Sequence, residues 1–208
     1  MKNNLIISSE VIALNSETTA AWDIWCNAGN AELPSGAVRK CYYLEENENH
    51  FLELIAVEKF SDLETLMIQR EAFMTELSPL LSSDIRQQVF QLEDTVKAID
   101  TALPTTEKLQ LRYIEVPLSV KDAYLNWRED TIFEVVRGAS QIDCFLAYRT
   151  LFSTQPGVMF FSGFNGDSSQ YMADIFLTPK YQQIVKEAGD QYITGGADGL
   201  YTRIFVAA

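Results

Sequence analysis

Histidine is nearly absent from this sequence: His50 is the only one in 208 residues. Any mechanism that needs an imidazole base, or an imidazole on a haem iron, must use it. Cysteine is sparse as well. Cys26, Cys41 and Cys144 are odd in number and far apart in sequence, which excludes a disulfide framework and clustered zinc-ligand spacing and predicts reduced, buried thiols. One histidine without grouped cysteines leaves no metal site of the usual nitrogen and sulfur kind. No run approaches the roughly 18 apolar residues that cross a bilayer, and the first residues show neither a basic region nor a small-residue cleavage pattern. The expectation is a cytoplasmic protein.

Positive charge is also in deficit. The chain has 16 basic against 29 acidic side chains, a formal net charge of −13, so polyphosphates and anionic membranes are repelled unless a local basic patch intervenes. Arg39-Lys40, Arg70, Arg86, Arg112, Arg128, Arg137 and Arg149 are scattered instead, without the aromatic interleaving of a nucleic-acid groove. Neither nucleic acid nor membrane is an expected partner. Gly195-Gly196-Ala197-Asp198-Gly199 is glycine-rich but precedes a strand pattern rather than opening a helix, so it lacks the helix N-terminus that holds phosphates. No Gly-x-Ser-x-Gly elbow is present and no cysteine has a histidine in a recognisable arrangement, which leaves hydrolase chemistry without a nucleophile.

What the sequence does contain is a unit written twice. Phe51 to Val57 is a strand-length apolar run, Phe60-Ser61-Asp62 makes a corner, and Leu63, Leu66, Met67, Phe73, Met74 and Leu77 recur at helical spacing. Val158 to Phe161, the corner Asn165 to Ser168, then Tyr171, Met172, Ile175 and Phe176 repeat the order, with the corners at Lys59 and Asn165 offset by 106 residues. An apolar content of 47% suffices for one large core or two modest ones. We read residues 1–100 as one half, 101–106 (TALPTT) as a linker and 107–208 as the other half.

Within the first half, Leu5 to Ile12 reads as a strand, Asn15 to Cys26 as a capped helix, Val38 to Glu45 as a strand, Glu46 to Asn49 as a hairpin loop, and Ile85 to Leu92 as the fourth strand after Pro79. In the second, Leu109 to Val116 alternates as a strand and a helix capped at Ser119 runs past Val135. Ile142 to Phe152 and Val158 to Phe164 are strands, and Leu200 to Val206 is the last one. Thr178-Pro179 is an N-cap and first-turn signature that breaks the final helix in two.

The fold class is therefore α+β: two tandem ferredoxin-like β-α-β-β-α-β units with antiparallel sheets. Strands apolar on both faces require cover on the side away from the helices, and pairing of the two sheets into an α/β barrel supplies it. In this pattern the chain resembles the dimeric α/β-barrel superfamily. Phe176-Leu177-Thr178-Pro179-Lys180-Tyr181 is similar to the segment that antibiotic-biosynthesis-monooxygenase-like domains carry before their final strand. The resemblance implies a pocket between sheet and helices in each half, used in that superfamily for cofactor-free oxygenation of aromatic polyketides, haem degradation or small-ligand isomerisation. It implies a cofactor-independent monooxygenase-like enzyme acting on a small planar or polyketide-like substrate; the alternative is a non-catalytic ligand-binding or assembly protein. A monomeric pseudo-dimer and a homodimer are both compatible with fused halves.

Candidate catalytic residues are Glu53, His50, Trp25 and Asn126; candidate substrate contacts are Trp22, Tyr42, Tyr124, Trp127 and Tyr148. Glu53 interrupts an apolar strand. Facing a barrel interior it would be a desolvated carboxylate with raised proton affinity, suited to a general base; otherwise it is paired with an arginine or reaches solvent. Trp22 with Trp25 and Tyr124 with Trp127 can stack a planar substrate, with Asn126 hydrogen-bonding its enolate oxygen, but the same three-residue spacing suits a helix face packed on a sheet. Tyr42 and Tyr148 stand on second strands, beside Arg39 and Arg149, where a phenol can donate a proton.

Overall fold

The computed structural model describes residues 5–27, 33–153 and 157–208. In chain order it has β1 (Leu5–Ile12), α1 (Thr18–Asn27), β2 (Val38–Leu44), β3 (Asn47–Val57), α2 (Ser61–Leu77) and β4 (Arg86–Lys97). There follow β5 (Lys108–Ile114), α3 (Lys121–Asp130), α4 (Ile132–Gly138), β6 (Cys144–Phe152), β7 (Val158–Phe164), α5 (Ser168–Tyr171), α6 (Pro179–Gln191) and β8 (Tyr201–Ala207). The hydrogen-bonded strand order is β1-β3-β2-β8-β5-β7-β6-β4, which closes as an antiparallel α/β barrel of eight strands.

Two compact units divide the chain. One comprises residues up to Gln91 with Asp100–Leu103 and Phe205–Ala208, the other Leu92–Ile99 with Pro104–Ile204. Each has the ferredoxin-like strand order: β4-β1-β3-β2 in the first, β8-β5-β7-β6 in the second. Strands β4 and β8 each run from one unit into the other.

In the first unit, Val11, Phe51 and Cys41 meet Ala21 and Trp25 of α1 and Phe73 and Leu77 of α2 in one apolar cluster. Side chains alternate along a strand, so Phe51, Glu53 and Ile55 of β3 face the helices while His50, Leu52 and Leu54 face away. Leu52 and Leu54 are nevertheless wholly buried, as the two-sided apolar pattern predicted. The β2–β3 hairpin is tighter than expected. β3 begins at Asn47, leaving Glu45 and Glu46 as the turn, because the exposed end of a strand accepts polar side chains.

In the second unit the helices and sheet enclose a larger core, including Tyr124, Phe133, Phe145, Phe160, Phe164, Phe176 and Tyr181. The helix expected from Ser119 past Val135 divides at Thr131, whose hydroxyl donates to the Trp127 carbonyl at 2.7 Å and whose backbone leaves the helical region at φ −123°, ψ −79°. Back-bonding of this kind competes with the helix ladder. The break near Thr178 is present: Thr178 Oγ1 accepts from Tyr181 N at 3.3 Å, and Pro179 opens α6. A single π-helical segment, Met172–Phe176, precedes it.

Candidate functional site

The space between sheet and helices is occupied differently in the two units. In the first, register pairs Ser9 with both Glu53 and Gln87, and Cys41 with Glu53, which lines up one row of side chains under α1 and α2. Glu53 is 2% exposed and is ion-paired with Arg39 of β2 and Arg70 of α2. Arg39 also donates to the carbonyls of Trp25 and Cys26 at the end of α1, and Arg70 to Ser9 Oγ at 2.8 Å, where Gln87 donates at 3.1 Å. Burial, ahead of the neighbouring Arg39 cation, pushes the Arg70 guanidinium down to about 10. This row is a buried, hydrogen-bonded charge cluster.

In the second unit Arg112, 5% exposed, projects from β5 toward the helices. Its Nη1 donates to the Tyr181 hydroxyl at 2.7 Å and its Nε to Thr202 Oγ1 at 3.2 Å, and the guanidinium lies 4.4 Å from the Phe176 ring centroid and 5.1 Å from that of Tyr181. No carboxylate pairs with it among the described residues. The other buried arginine of this unit, Arg128, does have such partners: Glu93 at 3.1 Å and Asp94. Arg112 borders a cavity of about 20 Å³ whose remaining walls are almost wholly apolar, among them Ile114, Ile132, Phe160, Ile184 and Ala188, with Tyr124 and Tyr181 as the phenols. A space of that size takes a water-sized guest.

Both phenols are held protonated. Burial is the main cause of the upward displacement of Tyr124 and of Tyr181, opposed by Arg128 for the first and by Arg112 for the second. No hydrogen bond of ordinary geometry reaches the buried Tyr124 hydroxyl from a described residue. The wall thus presents a fixed cation and two neutral O–H groups. That set can hold and stabilise an anionic oxygen. Beneath it, Tyr171 stacks on Phe164 with ring centroids 3.7 Å apart and shares hydrogen bonds with Ser162 (2.7 Å) and Gln110 (3.2 Å). Gln110 in turn donates to Met172 Sδ at 3.0 Å, at the head of the π-helical segment that carries Phe176 over Arg112. π-Bulges of this sort gather at functional sites.

The residues singled out in the sequence do not converge. Trp25 is fully buried against Phe73 with centroids 5.7 Å apart, Trp22 packs edge-on to Phe51 at 4.9 Å, and Glu53 belongs to the charge cluster. His50 lies on the face of β3 away from the helices, its Nε2 2.9 Å from Glu10 Oε2 and its ring 5.9 Å from Phe205. Tyr42 and Tyr148 are buried on the corresponding faces of β2 and β6, Tyr148 against Phe161 at 4.6 Å. Asn126 is exposed on α3. Tyr124 alone of the nine lines the cavity. Trp127 stands behind it, 6.1 Å from its ring, donating Nε1–H to Glu187 at 3.0 Å.

Sequence reasoning passed over Arg112, which it counted only among the scattered basic residues. The available signal was Gln110 and Arg112 two apart on a strand of a sheet whose every face needs cover. A haem does not fit this donor set: the single imidazole is in the first unit, on the sheet face turned away from the helices, and bonded to Glu10. Among the described residues no group of three or more histidine, cysteine and carboxylate side chains is placed to hold a metal ion, and no helix is long and apolar enough to cross a membrane.

No family model and no curated protein matches the chain. Solved structures do, over its full length. A proposed monooxygenase from Fusobacterium nucleatum subsp. nucleatum superimposes with a TM-score of 0.73 at 8% identity, covering 100% of this chain and 94% of that one. An anthrone oxidase-like protein gives 0.74 at 11% identity, with coverage of 100% and 92%. The chlorite dismutase of Candidatus Nitrospira defluvii gives 0.62 at 8%, again with 100% and 92%. At such identities the likeness is one of fold: this chain has the dimeric α/β-barrel fold that these proteins share.

Proposed function

We propose that the second unit is a small-molecule site and that the protein is a cofactor-independent, monooxygenase-like enzyme for a small planar substrate bearing an acidic enol or phenol. The observation that carries this reading is Arg112, a buried guanidinium at a cavity wall with no carboxylate partner among the described residues. Burying an unpaired charge is costly. An anionic ligand oxygen would offset it. The cation and the phenolic O–H groups of Tyr124 and Tyr181 would favour the ionised substrate, whose electron-rich carbon adds dioxygen. Loss of water from the resulting peroxide converts a CH₂ into a carbonyl, with one O₂ consumed and one H₂O released. The same groups stabilise charge on the peroxide oxygens.

A planar ring exceeds the present cavity, so binding would displace the half-buried Val185 and Leu200 that border it. The lack of a carboxylate or imidazole in this wall favours a second reading, ligand binding without turnover. Since the strand order closes within one chain, we expect a monomeric pseudo-dimer.

Anthrone is a suitable probe, followed with an oxygen electrode and by quinone absorbance. Oxygen uptake matching quinone formation, reduced roughly tenfold or more in Arg112→Leu and partly retained in Arg112→Lys, supports the enzyme. Saturable binding that depends on Arg112 without oxygen uptake supports the binding protein. Neither binding nor uptake refutes both.

A further inference from the structure

Cys26 and Cys41 are fifteen positions apart in sequence yet meet in the fold. Cys26 is in the last turn of α1 and packs, half-buried, on the apolar cluster that contains Cys41 of β2, itself 7% exposed. Arg39, two residues before Cys41 and on the same face of β2, donates to the Cys26 carbonyl at 2.9 Å, holding the end of α1 over this strand. The end of α1 is thus held over the face of β2 that carries Cys41, close enough for each thiol to perturb the other. Neither is in a disulfide.

The pair is asymmetric. The hydrogen bond from Cys41, and to a lesser extent the Arg39 cation, hold the Cys26 thiol below the ordinary range against burial and Asp23. The same hydrogen bond, then burial, push the Cys41 thiol up. A partly accessible thiol held below its ordinary range, beside a buried partner held above it, is the arrangement in which oxidation is site-selective. Cys144, by contrast, is 1% exposed in the other unit.

We propose that Cys26 and Cys41 are a peroxide-reactive dithiol that closes to a reversible intramolecular disulfide. The Cys26 thiolate attacks one peroxide oxygen; the O–O bond breaks, an S–O bond forms, and the leaving hydroxide takes a proton to become water. The Cys41 sulfur then attacks the sulfenic sulfur. An S–S bond forms, the S–O bond breaks, and hydroxide leaves with the Cys41 proton as a second water. Two thiols lose two electrons and one hydrogen peroxide gains them. The product tethers the end of α1 to β2, beside the arginine that pairs with Glu53.

The test uses the full-length reduced protein, native, treated with stoichiometric hydrogen peroxide and examined by intact mass and peptide mapping. The expected result is loss of two hydrogens, a cross-linked peptide pair containing Cys26 and Cys41, and reversal by dithiothreitol. Before oxidation, iodoacetamide should label Cys26 roughly tenfold or more faster than Cys144. In Cys41→Ser the reaction should stop at a sulfenic acid trapped by dimedone, and in Cys26→Ser no disulfide should form. Oxygen addition without hydrogen loss, a disulfide through Cys144, or cross-linking between chains overturns the proposal, and the first of these readings needs no variant to fold.

Discussion

Replacing Glu53 by glutamine keeps the shape of the side chain and removes its charge, leaving Arg39 and Arg70 buried together without a counter-charge. Their side chains are 6% and 15% exposed, and that of Glu53 is 2% exposed. Removing one partner of a buried pair costs on the order of 3–5 kcal/mol, because the remaining charge is uncompensated. Here two cations are stranded, so the upper part of that range applies. For a chain of this size about 1 kcal/mol corresponds to roughly 2–4 °C, so about 4–5 kcal/mol gives a fall in Tm of roughly 8–20 °C. Thermal unfolding followed by tryptophan fluorescence is well matched to the question, since Trp25 packs over the cluster and its carbonyl accepts from Arg39.

The sign of the pH dependence provides a second check. Arg70 already releases its proton at about 10 in the folded protein, below its ordinary 12.5, and losing Glu53 would lower this further. Between the folded and unfolded values the unfolded chain binds more protons, so stability rises with pH there. The deficit of Glu53→Gln relative to the parent should therefore shrink as pH rises toward 10. A triple variant with Glu53→Leu, Arg39→Met and Arg70→Met, which removes all three charges, should recover much of the loss. A Tm change in Glu53→Gln below about 2 °C would refute the reasoning, since the cluster would then be hydrated and inexpensive to break.

Burial raises five phenols, Tyr113 to about 12 and Tyr124, Tyr148, Tyr171 and Tyr181 above their ordinary 10. Their stabilising contribution is complete below pH 10 and is lost as pH climbs toward the folded values, so melts should fall off above pH 10, and the tyrosinate absorbance of these five, out of nine tyrosines, should appear only later or on unfolding. Titration of all nine together in the folded protein would contradict this. Thr178→Ala removes the N-cap of α6 and should cost about 1 kcal/mol; because Tyr181 stands one turn on and accepts from Arg112, anthrone affinity should fall with it, which a merely local cap would not produce. Gly189→Ala would place its Cβ 2.9 Å from Ala197 Cα and closer still to Ala197 N. Despite alanine's higher helix propensity, the clash should destabilise by about 1–3 kcal/mol in thermal melts.

The fold was legible because its signals are local and strong. Two-sided apolar strands, Thr178-Pro179, and the corner before α2 each admit one reading, and the ladder order follows from the repeated pattern. The candidate site around Arg112 was not legible, and for a specific reason. Period-two alternation tells which residues share a face, but both faces of these strands are buried, so alternation along Leu109 to Val116 did not say that Gln110 and Arg112 face the helices. Glu53 had the opposite ambiguity: an isolated carboxylate in an apolar strand suits a base or an ion pair equally, and only the positions of Arg39 and Arg70, on a different strand and on a helix, decide it. Trp22 and Trp25 likewise carry the same spacing for packing as for stacking.

The two ladders can be laid over one another, and the comparison explains why the same topology yields a closed cluster once and a cavity once. Counting four residues in from the register pairs Leu5–Val57 and Lys108–Phe164 leads to Ser9–Glu53 in the first unit and Arg112–Phe160 in the second. Both pairs lie under helices. In the first unit the carboxylate comes from the sheet, and cations from β2 and α2 converge on it, so that each guanidinium has a carboxylate partner. In the second unit the cation comes from the sheet, an aromatic ring replaces the carboxylate, and the helical side answers with Tyr181 and Phe176, which solvate a cation without neutralising it. One unit has thus spent its polar row on internal pairing. The other retains a buried guanidinium that no described carboxylate pairs with, beside open volume, and the proposed anionic ligand would supply that partner from outside the chain.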